Sequence, residues 1–396
     1  MIGERGSGVI VAGHLCLDLI PTLPGEVRYT PGTLASVGPV TVSTGGCVPN
    51  TGLALHRLGV PVRLLAKVAD DSLGKIVRDL LARVSDDLAE GLLDAPGENT
   101  SYSVILSPPG EDRMILHHPG PNDTFAAEDL PEDLEDALPG ARIFHFGYPP
   151  IMRRMYEDGG ENLQRVLNRA KRSGLATSLD TTYPDPASEA GRADWERIFE
   201  TALPEADVFL PSLEEILLML EPDARVEVAR SGPEALSRVP VERISHVGNR
   251  LVALGAAVVG IKCGVRGLYL RTAPEERLAD AGPAFPTDRR AWADRELWSS
   301  AFEVRAIGTT GAGDAAVEGF LRGLLGGLPP EENVTIACAV GASSVEAADA
   351  TSGVRSWEET RERFAGNWKR STAPPGEGWR EGELPGVWIG PHDRGS

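Results

Sequence analysis

The run Gly308-Thr309-Thr310-Gly311-Ala312-Gly313-Asp314 brings together residue types suited to phosphoryl transfer onto an alcohol. Small residues leave backbone N–H groups bare and let a ligand approach closely. The residues that follow, Ala315 to Leu325, repeat apolar side chains at helical spacing, so the run opens a helix. A helix N-terminus adds unpaired donors and partial positive charge, which together make an anion site. A carboxylate at that spot would repel a phosphate that was merely bound. Asp314 makes chemical sense where it takes a proton from a hydroxyl attacking a phosphate held by the loop. A Gly-rich turn would explain a lone Gly-x-Gly-Asp. Seven small or acidic residues in this order favour the chemical reading.

These groups need a rigid frame, and the sequence alternates strand-like and helix-like segments that could supply it. Val9 to Gly13, Pro61 to Leu65, Arg142 to Phe146, Leu175 to Leu179, Asp207 to Leu210 and Ala257 to Ile261 read as short buried strands. Amphipathic helices lie between them. In one, Ile244, Val247, Leu251 and Leu254 share a face at a period of 3.6. This alternation predicts an α/β fold, a doubly wound parallel sheet with helices on both faces. Ligands in such folds sit beyond the carboxyl ends of the strands. Residues 26–43 and 100–118 break the rhythm with strand character at period 2. The second reads as a hairpin, Tyr102 to Leu106 and Arg113 to His117 around a Pro108-Pro109-Gly110-Glu111 turn. Such strands form either a small β-sheet standing beside the core or extra edges on the main sheet. The last residues, 366–396, are rich in Pro, Gly and Trp and lack periodicity. They read as a tail outside the fold, with Trp368, Trp379 and Trp388 available to dock on the body or on a partner subunit.

The Gly308–Asp314 run resembles the C-terminal signature of the ribokinase (PfkB) family of carbohydrate kinases, usually written DTTGAGD. An N-terminal counterpart is present too. Gly45-Gly46 is followed by Asn50, then Arg57-Leu58-Gly59, then Val68-Ala69-Asp70-Asp71-Ser72-Leu73-Gly74, at the family's spacing. The resemblance runs from Gly8 to Phe364, with a divergent stretch near 272–300, and predicts one ribokinase-like kinase domain over residues 1–365. It implies that the off-rhythm strands, about 20–45 and 98–120, form a lid over the substrate, excluding water and mediating a homodimer. ATP and Mg2+ are the implied cofactors. Asp314 would be the catalytic base, with Gly311, Ala312 and Gly313 forming the anion hole.

The resemblance assigns further residues one at a time. Asp18 would accept hydrogen bonds from substrate hydroxyls, a role suited to a carboxylate facing adjacent O–H groups. Gly45 and Gly46 would bring backbone close to the substrate, and Asn50 would offer both a donor and an acceptor. Glu215, in Pro211-Ser212-Leu213-Glu214-Glu215, matches a family Glu that holds a magnesium-bound water. Ser212 replaces the family's Asn there. Lys262, Gly264, Gly267 and Thr310 would border the nucleotide, with Lys262 reaching a phosphate or pointing into solvent. Asp180 would either lie near the site or cap a helix. His14 reads as a turn histidine, Cys47 as a small buried thiol, and His117-His118 as too isolated for a metal site. Gly308 departs from the family's first Asp, which in many members helps bind an activating monovalent cation.

Composition fits this reading. The chain has 396 residues, 41% of them hydrophobic, enough for a sizeable core, and a formal net charge of −19. That charge argues against a nucleic acid or an anionic membrane as partner. Four widely spaced cysteines contain no C-x-x-C pair, so neither a zinc cluster nor a disulfide framework is expected. A cytoplasmic location follows from the lack of a signal peptide or an 18-residue apolar run. The partner is then a small polyhydroxylated molecule: a sugar, a sugar phosphate or a polyol. A nucleoside kinase on the same fold is the alternative, and from another class a non-catalytic sugar-binding regulator.

Overall fold

The computed structural model describes residues 8–25, 31–32, 34–109, 113–221, 234–282, 285, 288–309, 311–347, 349–366 and 368–395. In chain order its strands are β1 (Gly8–Gly13), β2 (Cys16–Pro21), β3 (Val40–Gly45), β4 (Val62–Leu65), β5 (Lys67–Val68), β6 (Leu93–Asp94), β7 (Tyr102–Leu106), β8 (Met114–His118), β9 (Ala141–Gly147), β10 (Ala176–Asp180), β11 (Val208–Phe209), β12 (Val258–Lys262), β13 (Leu268–Thr272), β14 (Glu296–Ser299), β15 (Arg380–Glu381) and β16 (Val387–Ile389). The main sheet has the order β15-β16-β14-β13-β12-β11-β10-β9-β1-β4. From β4 to β12 neighbouring strands run parallel, and from β12 to β15 antiparallel.

Alternating side chains send each parallel strand into two separate cores. Ile10, Phe144, Phe146, Leu179, Phe209 and Val259 point to one face, where helices Glu161–Arg172, Trp195–Ala202, Leu213–Leu220 and Val241–Ala253 cover them. Val9, Val11, Ile143, Ala176, Val208 and Val258 point to the other. Helices Cys47–Arg57, Ser72–Ala82, Ala312–Leu325 and Pro330–Ser344 cover that face. The doubly wound sheet expected from the sequence is therefore present. In the helix Val241–Ala253, the expected stripe of Ile244, Val247 and Leu251 is fully buried. Helices Ala312–Leu325 and Pro330–Ser344 pack closely because Gly319 has no side chain: a Cβ there would lie 3.0 Å from Ala337 Cα.

A separate four-stranded sheet, β3-β2-β7-β8, stands beside the main one. The hairpin expected near 102–117 is its β7-β8 half. Gly110 and Glu111 of its expected turn lie outside the described residues. The first half differs from expectation. Its inner strand is β2, which begins at Cys16, well before residue 26. Within 26–43 the described strand starts only at Val40. Just before it, Gly38 and Pro39 still bond Thr22, through Gly38 N–H to Thr22 O at 2.7 Å and Thr22 N–H to Pro39 O at 3.0 Å.

The C-terminal segment also differs from expectation. It adds β15 and β16 to the antiparallel edge of the main sheet instead of lying outside the fold. Trp379 and Trp388 are buried, with Trp379 edge-on to Trp298 and Tyr269. Trp368 stacks on Phe302 at a centroid distance of 4.4 Å, under the Arg363 guanidinium. Buried Glu296 accepts from the His392 backbone N–H at 2.7 Å, and Asp393 accepts from Arg295 at 2.9 Å. Aromatic anchors replaced periodicity as the folding signal, which is why a period-based reading missed this segment. Among the described residues no helix is long and apolar enough to cross a membrane.

Candidate active site

The helix Ala312–Leu325 starts at Gly311, whose φ of 73° lies in the left-handed region. Glycine is needed there twice over, because a Cβ would also come 2.5 Å from the Ala350 Cβ. The first turn of the helix points its unpaired donors at the carboxyl ends of the parallel strands. Ala312 N–H donates to Thr309 O at 3.3 Å, so this one of the three expected anion-hole donors is already engaged within the turn. Thr310 lies outside the described residues.

Asp314 sits in that first turn and is buried. Tyr148 donates its hydroxyl to both carboxylate oxygens, at 2.7 and 2.9 Å, and Asn50 donates its amide to Oδ2 at 3.0 Å. Burial pushes the Asp314 carboxyl above its ordinary value, while Lys262, Tyr148 and Asn50 pull against that shift. A carboxylate gripped in this way has a fixed orientation and raised basicity, both useful for taking a proton from a bound hydroxyl. Asn50 thus touches Asp314 through its amide N–H.

Three charged side chains share the floor with Asp314. Asp180 ends β10, and Lys262 ends β12. They pair at 2.7 Å, and both are largely shielded from solvent. A Cβ on Gly313 would lie 3.5 Å from Lys262 Nζ, so the ammonium hangs over the helix N-terminus. The ammonium does not point into solvent, which removes one of the two expectations for Lys262. Burial works against its charge, but Asp180 and Glu215 outweigh that and raise its pKa. Asp180 lies in the site and pairs with lysine rather than capping a helix. Glu318 follows Asp314 by one helical turn. It is fully buried, and its Oε2 has no hydrogen-bond partner. Burial, then the nearby Asp314, holds its carboxyl well above the usual range.

Glu215 Oε2 accepts from Ser212 N at 2.8 Å and from Thr181 Oγ1 at 2.7 Å. Here Ser212 contributes its backbone N–H, which any residue at that position could supply. Gly264 and Gly267 flank a short turn between β12 and β13. A Cβ on Gly264 would meet nothing within 4 Å. One on Gly267 would collide with Ser299 O. Gly267 is thus demanded by packing, whereas Gly264 leaves space for a ligand.

The small sheet faces this floor. Asp18 on β2 lies against Gly45, where any Cβ would strike its carboxylate. Gly46 has a φ of 92° and lies against His14. Burial raises the Asp18 pKa, and burial lowers that of His14. The His14 ring lies 6.3 Å from Tyr148 and 5.1 Å from His117, with Nε2 to Nε2 at 3.3 Å. His14 does lie in the turn between β1 and β2, as expected, and His117 meets it there, so His117 is not isolated. Cys47 is buried as expected, with Sγ 3.5 Å from His145 Nε2. Burial, then Lys262, lowers the His145 pKa to about 3, which keeps that ring neutral.

Residues 7–357 match the family model described as "pfkB family carbohydrate kinase". The chain belongs to that family. An uncharacterized sugar kinase of Archaeoglobus fulgidus is 25% identical over 307 residues, covering 76% of this chain and 98% of that protein. Ribokinase from Thermotoga maritima superposes with a TM-score of 0.65 at 20% identity, covering 91% of this chain and 99% of its own. A putative ribokinase II from E. coli, solved in complex with ATP and Mg2+, superposes with a TM-score of 0.64 at 17% identity, covering 90% and 98%. At these identities the two structures establish the fold, which is ribokinase-like, and the family match makes the chain a sugar kinase.

Two site residues and one meeting of side chains escaped the sequence reading. Tyr148 follows β9 directly, just as Lys262 and Asp180 end their own strands, so the strand-end rule could have found it. Glu318 was hidden because a lone acid in an amphipathic helix reads as solvent-facing. The meeting of His14 with His117 depends on how the small sheet docks, which no local pattern encodes.

Proposed function

We propose that the chain transfers the terminal phosphoryl group of ATP to a hydroxyl of a small sugar, sugar phosphate or polyol, with Asp314 as the base. The observation that carries this reading is the clamped, buried carboxylate at a glycine-opened helix N-terminus, with Lys262 overhead. The residues present fit a magnesium nucleotide. Gly313 has no side chain beneath the Lys262 ammonium, Gly264 leaves open space, and the E. coli neighbour was solved with ATP and Mg2+. When bound, ATP with Mg2+ supplies the phosphoryl group and neutralises charge upon it.

This chain's own residues do the rest. Asp18 accepts from acceptor hydroxyls while Gly45 and Gly46 let the acceptor approach the backbone. Asp314 takes the hydroxyl proton onto a carboxylate oxygen. Tyr148 and Asn50 keep that oxygen aimed. The N–H groups of Gly311 and Gly313, with Lys262, offset developing negative charge, and Ala312 joins them only on giving up its bond to Thr309. Glu215 would help hold the magnesium ion through Oε1, the oxygen not committed to Ser212 and Thr181. Gly264, Gly267 and Thr310 border the nucleotide in this reading. The kinase domain takes in residues 1–365 together with the C-terminal strands β15 and β16, and the small sheet acts as the lid, keeping water from competing as acceptor. Met114, Ile115 and Leu116 leave about half their area exposed on β8, which supports a homodimer through this lid. The four cysteines are free, as suits a reducing, cytoplasmic setting.

The test is product formation from ATP and Mg2+ over a panel of sugars, sugar phosphates, polyols and nucleosides. Turnover is expected on a sugar or polyol. A strong preference for nucleosides would replace the acceptor class. Acceptor binding with no turnover on any member would favour a regulator.

A further inference from the structure

Across the small sheet, Asp18 pairs with Ser103, and Ser103 pairs with His117. Cross-strand partners point to one face, and Cys16, two residues before Asp18, shares it. His14, just past the end of β1, comes up beneath that row. The result gathers two imidazoles and a thiol. One ligand atom from each of His14, Cys16 and His117 lies within 4.8 Å of the other two.

We propose that His14, Cys16 and His117 bind a borderline-soft divalent ion of the Zn2+ class. Two nitrogens each ~2.0 Å from a tetrahedral ion stand about 3.3 Å apart. The two Nε2 atoms are 3.3 Å apart. The donors are nitrogen and sulfur, which select zinc-like ions over magnesium or calcium. Asp18 Oδ1 lies 3.3 Å from Cys16 Sγ but stands outside the three-residue cluster, so the fourth position is left to water or to a ligand oxygen. His117 Nδ1 lies 3.1 Å from Ser103 Oγ, the kind of outer partner that orients a ligating ring. His14 is buried and its Nδ1 has no partner; its Nε2 contacts His117 alone, a contact that the bound ion replaces. The exposed His117 rim gives the ion a way in. On binding, the Cys16 thiol proton leaves to solvent and the thiolate takes its place on the ion.

The ion would sit beside Asp18. It therefore competes with the phosphoryl acceptor and not with ATP, a consequence that rests on the functional reading above. The full-length protein, treated with chelator and desalted, is titrated with Co2+ as a spectroscopic stand-in. One equivalent should bind with a thiolate-to-cobalt charge-transfer band. Cys16→Ser should abolish the band, and His117→Ala should weaken binding by more than the ~10–100-fold typical of losing an outer partner. His118→Ala should leave it unchanged. Circular dichroism confirms that each variant is folded. Absence of the band from folded wild-type protein, or its survival in Cys16→Ser, overturns the site. In kinetics, Zn2+ should raise KM for the acceptor without changing kcat. Metal binding without that effect keeps the site and overturns the acceptor assignment instead, whereas turnover without metal binding overturns the site alone.

Discussion

The floor of the site and the small sheet above it are built on opposite plans. The floor concentrates charge where burial is deepest: Asp314, Asp180, Lys262 and Glu318 all stand at strand ends or in one helix, between two packed cores. The four strands of the cover carry one carboxylate, Asp18, among neutral or weakly basic groups, and turn apolar side chains outward. Buried charge costs stability and is tolerated only where a rigid frame holds its partners in place. Chemistry that must not vary is thus set on the parallel strands. In the proposed reading, selection of the acceptor falls to the small sheet, where Asp18 stands on the inner strand β2 and the register with β7 and β8 fixes a row of side chains.

The largest expected effect tests the floor. Asp314→Asn should lower kcat by about 10²–10⁴, the range for loss of a general base. It should not lower stability. Burial raises the Asp314 pKa in the native state, so the folded protein binds more protons than the unfolded chain between the ordinary carboxylate value and the raised one. Stability from this group is greatest below that window and is lost as pH rises through it. Asparagine removes the cost, and thermal melting at neutral pH should be unchanged or higher. A mutant keeping a third of wild-type turnover would show that the base lies elsewhere.

The next effect tests the cover. Asp18→Ala should weaken acceptor binding by roughly 1.5–3 kcal/mol, the worth of a charged hydrogen bond, or about tenfold to a hundredfold. The loss should fall on KM for the acceptor, with kcat largely retained. Calorimetry showing equal acceptor affinity in mutant and wild type would remove Asp18 from the pocket, and with it the division between floor and cover.

A smaller effect separates orientation from proton transfer. Tyr148→Phe removes a donor that pulls the Asp314 pKa down. The native pKa should rise further, and the acid limb of the kcat/KM profile should move to higher pH. On the plateau, kcat should fall by roughly three- to tenfold, up to about 1.4 kcal/mol of lost orientation. An acid limb that stays in place would mean that Asp314 does not govern it.

The two regions also differed in how far the sequence announced them. The floor's frame was visible because its strands are short, apolar and separated by helices of clear period, and because Gly311 to Asp314 form a contiguous chemical pattern. Tyr148 and Glu318 were missed because each is a single residue whose meaning comes from a neighbour far away in sequence. In the cover, the hairpin near 102–117 was legible from its turn, but β2 was not, since Cys16 to Pro21 reads as the loop after β1. The C-terminal strands were read as a tail because two short antiparallel strands, Arg380–Glu381 and Val387–Ile389, anchored by Trp379 and Trp388, leave no period to detect.

The smallest expected effect concerns how the floor manages negative charge. Many family members place an Asp at the first position of the signature, where it helps bind an activating monovalent cation. Gly308 offers no side-chain oxygen. A nearby carbonyl that could substitute, Val345 O, already accepts from Ile307 N at 2.8 Å and Gly308 N at 3.3 Å. The floor meanwhile holds a cation of its own, Lys262, over the helix N-terminus. A site without a charged ligand, whose backbone oxygens are engaged, should bind potassium weakly and without selectivity. Turnover should therefore change by less than about twofold between potassium, sodium and a bulky organic cation at equal ionic strength, a shift below ~0.4 kcal/mol. Activation by potassium of tenfold or more would show that other groups complete the site and that the floor does not rely on Lys262 alone. Gly308→Asp sharpens the point: restoring the carboxylate should introduce a dependence on potassium that the native chain lacks.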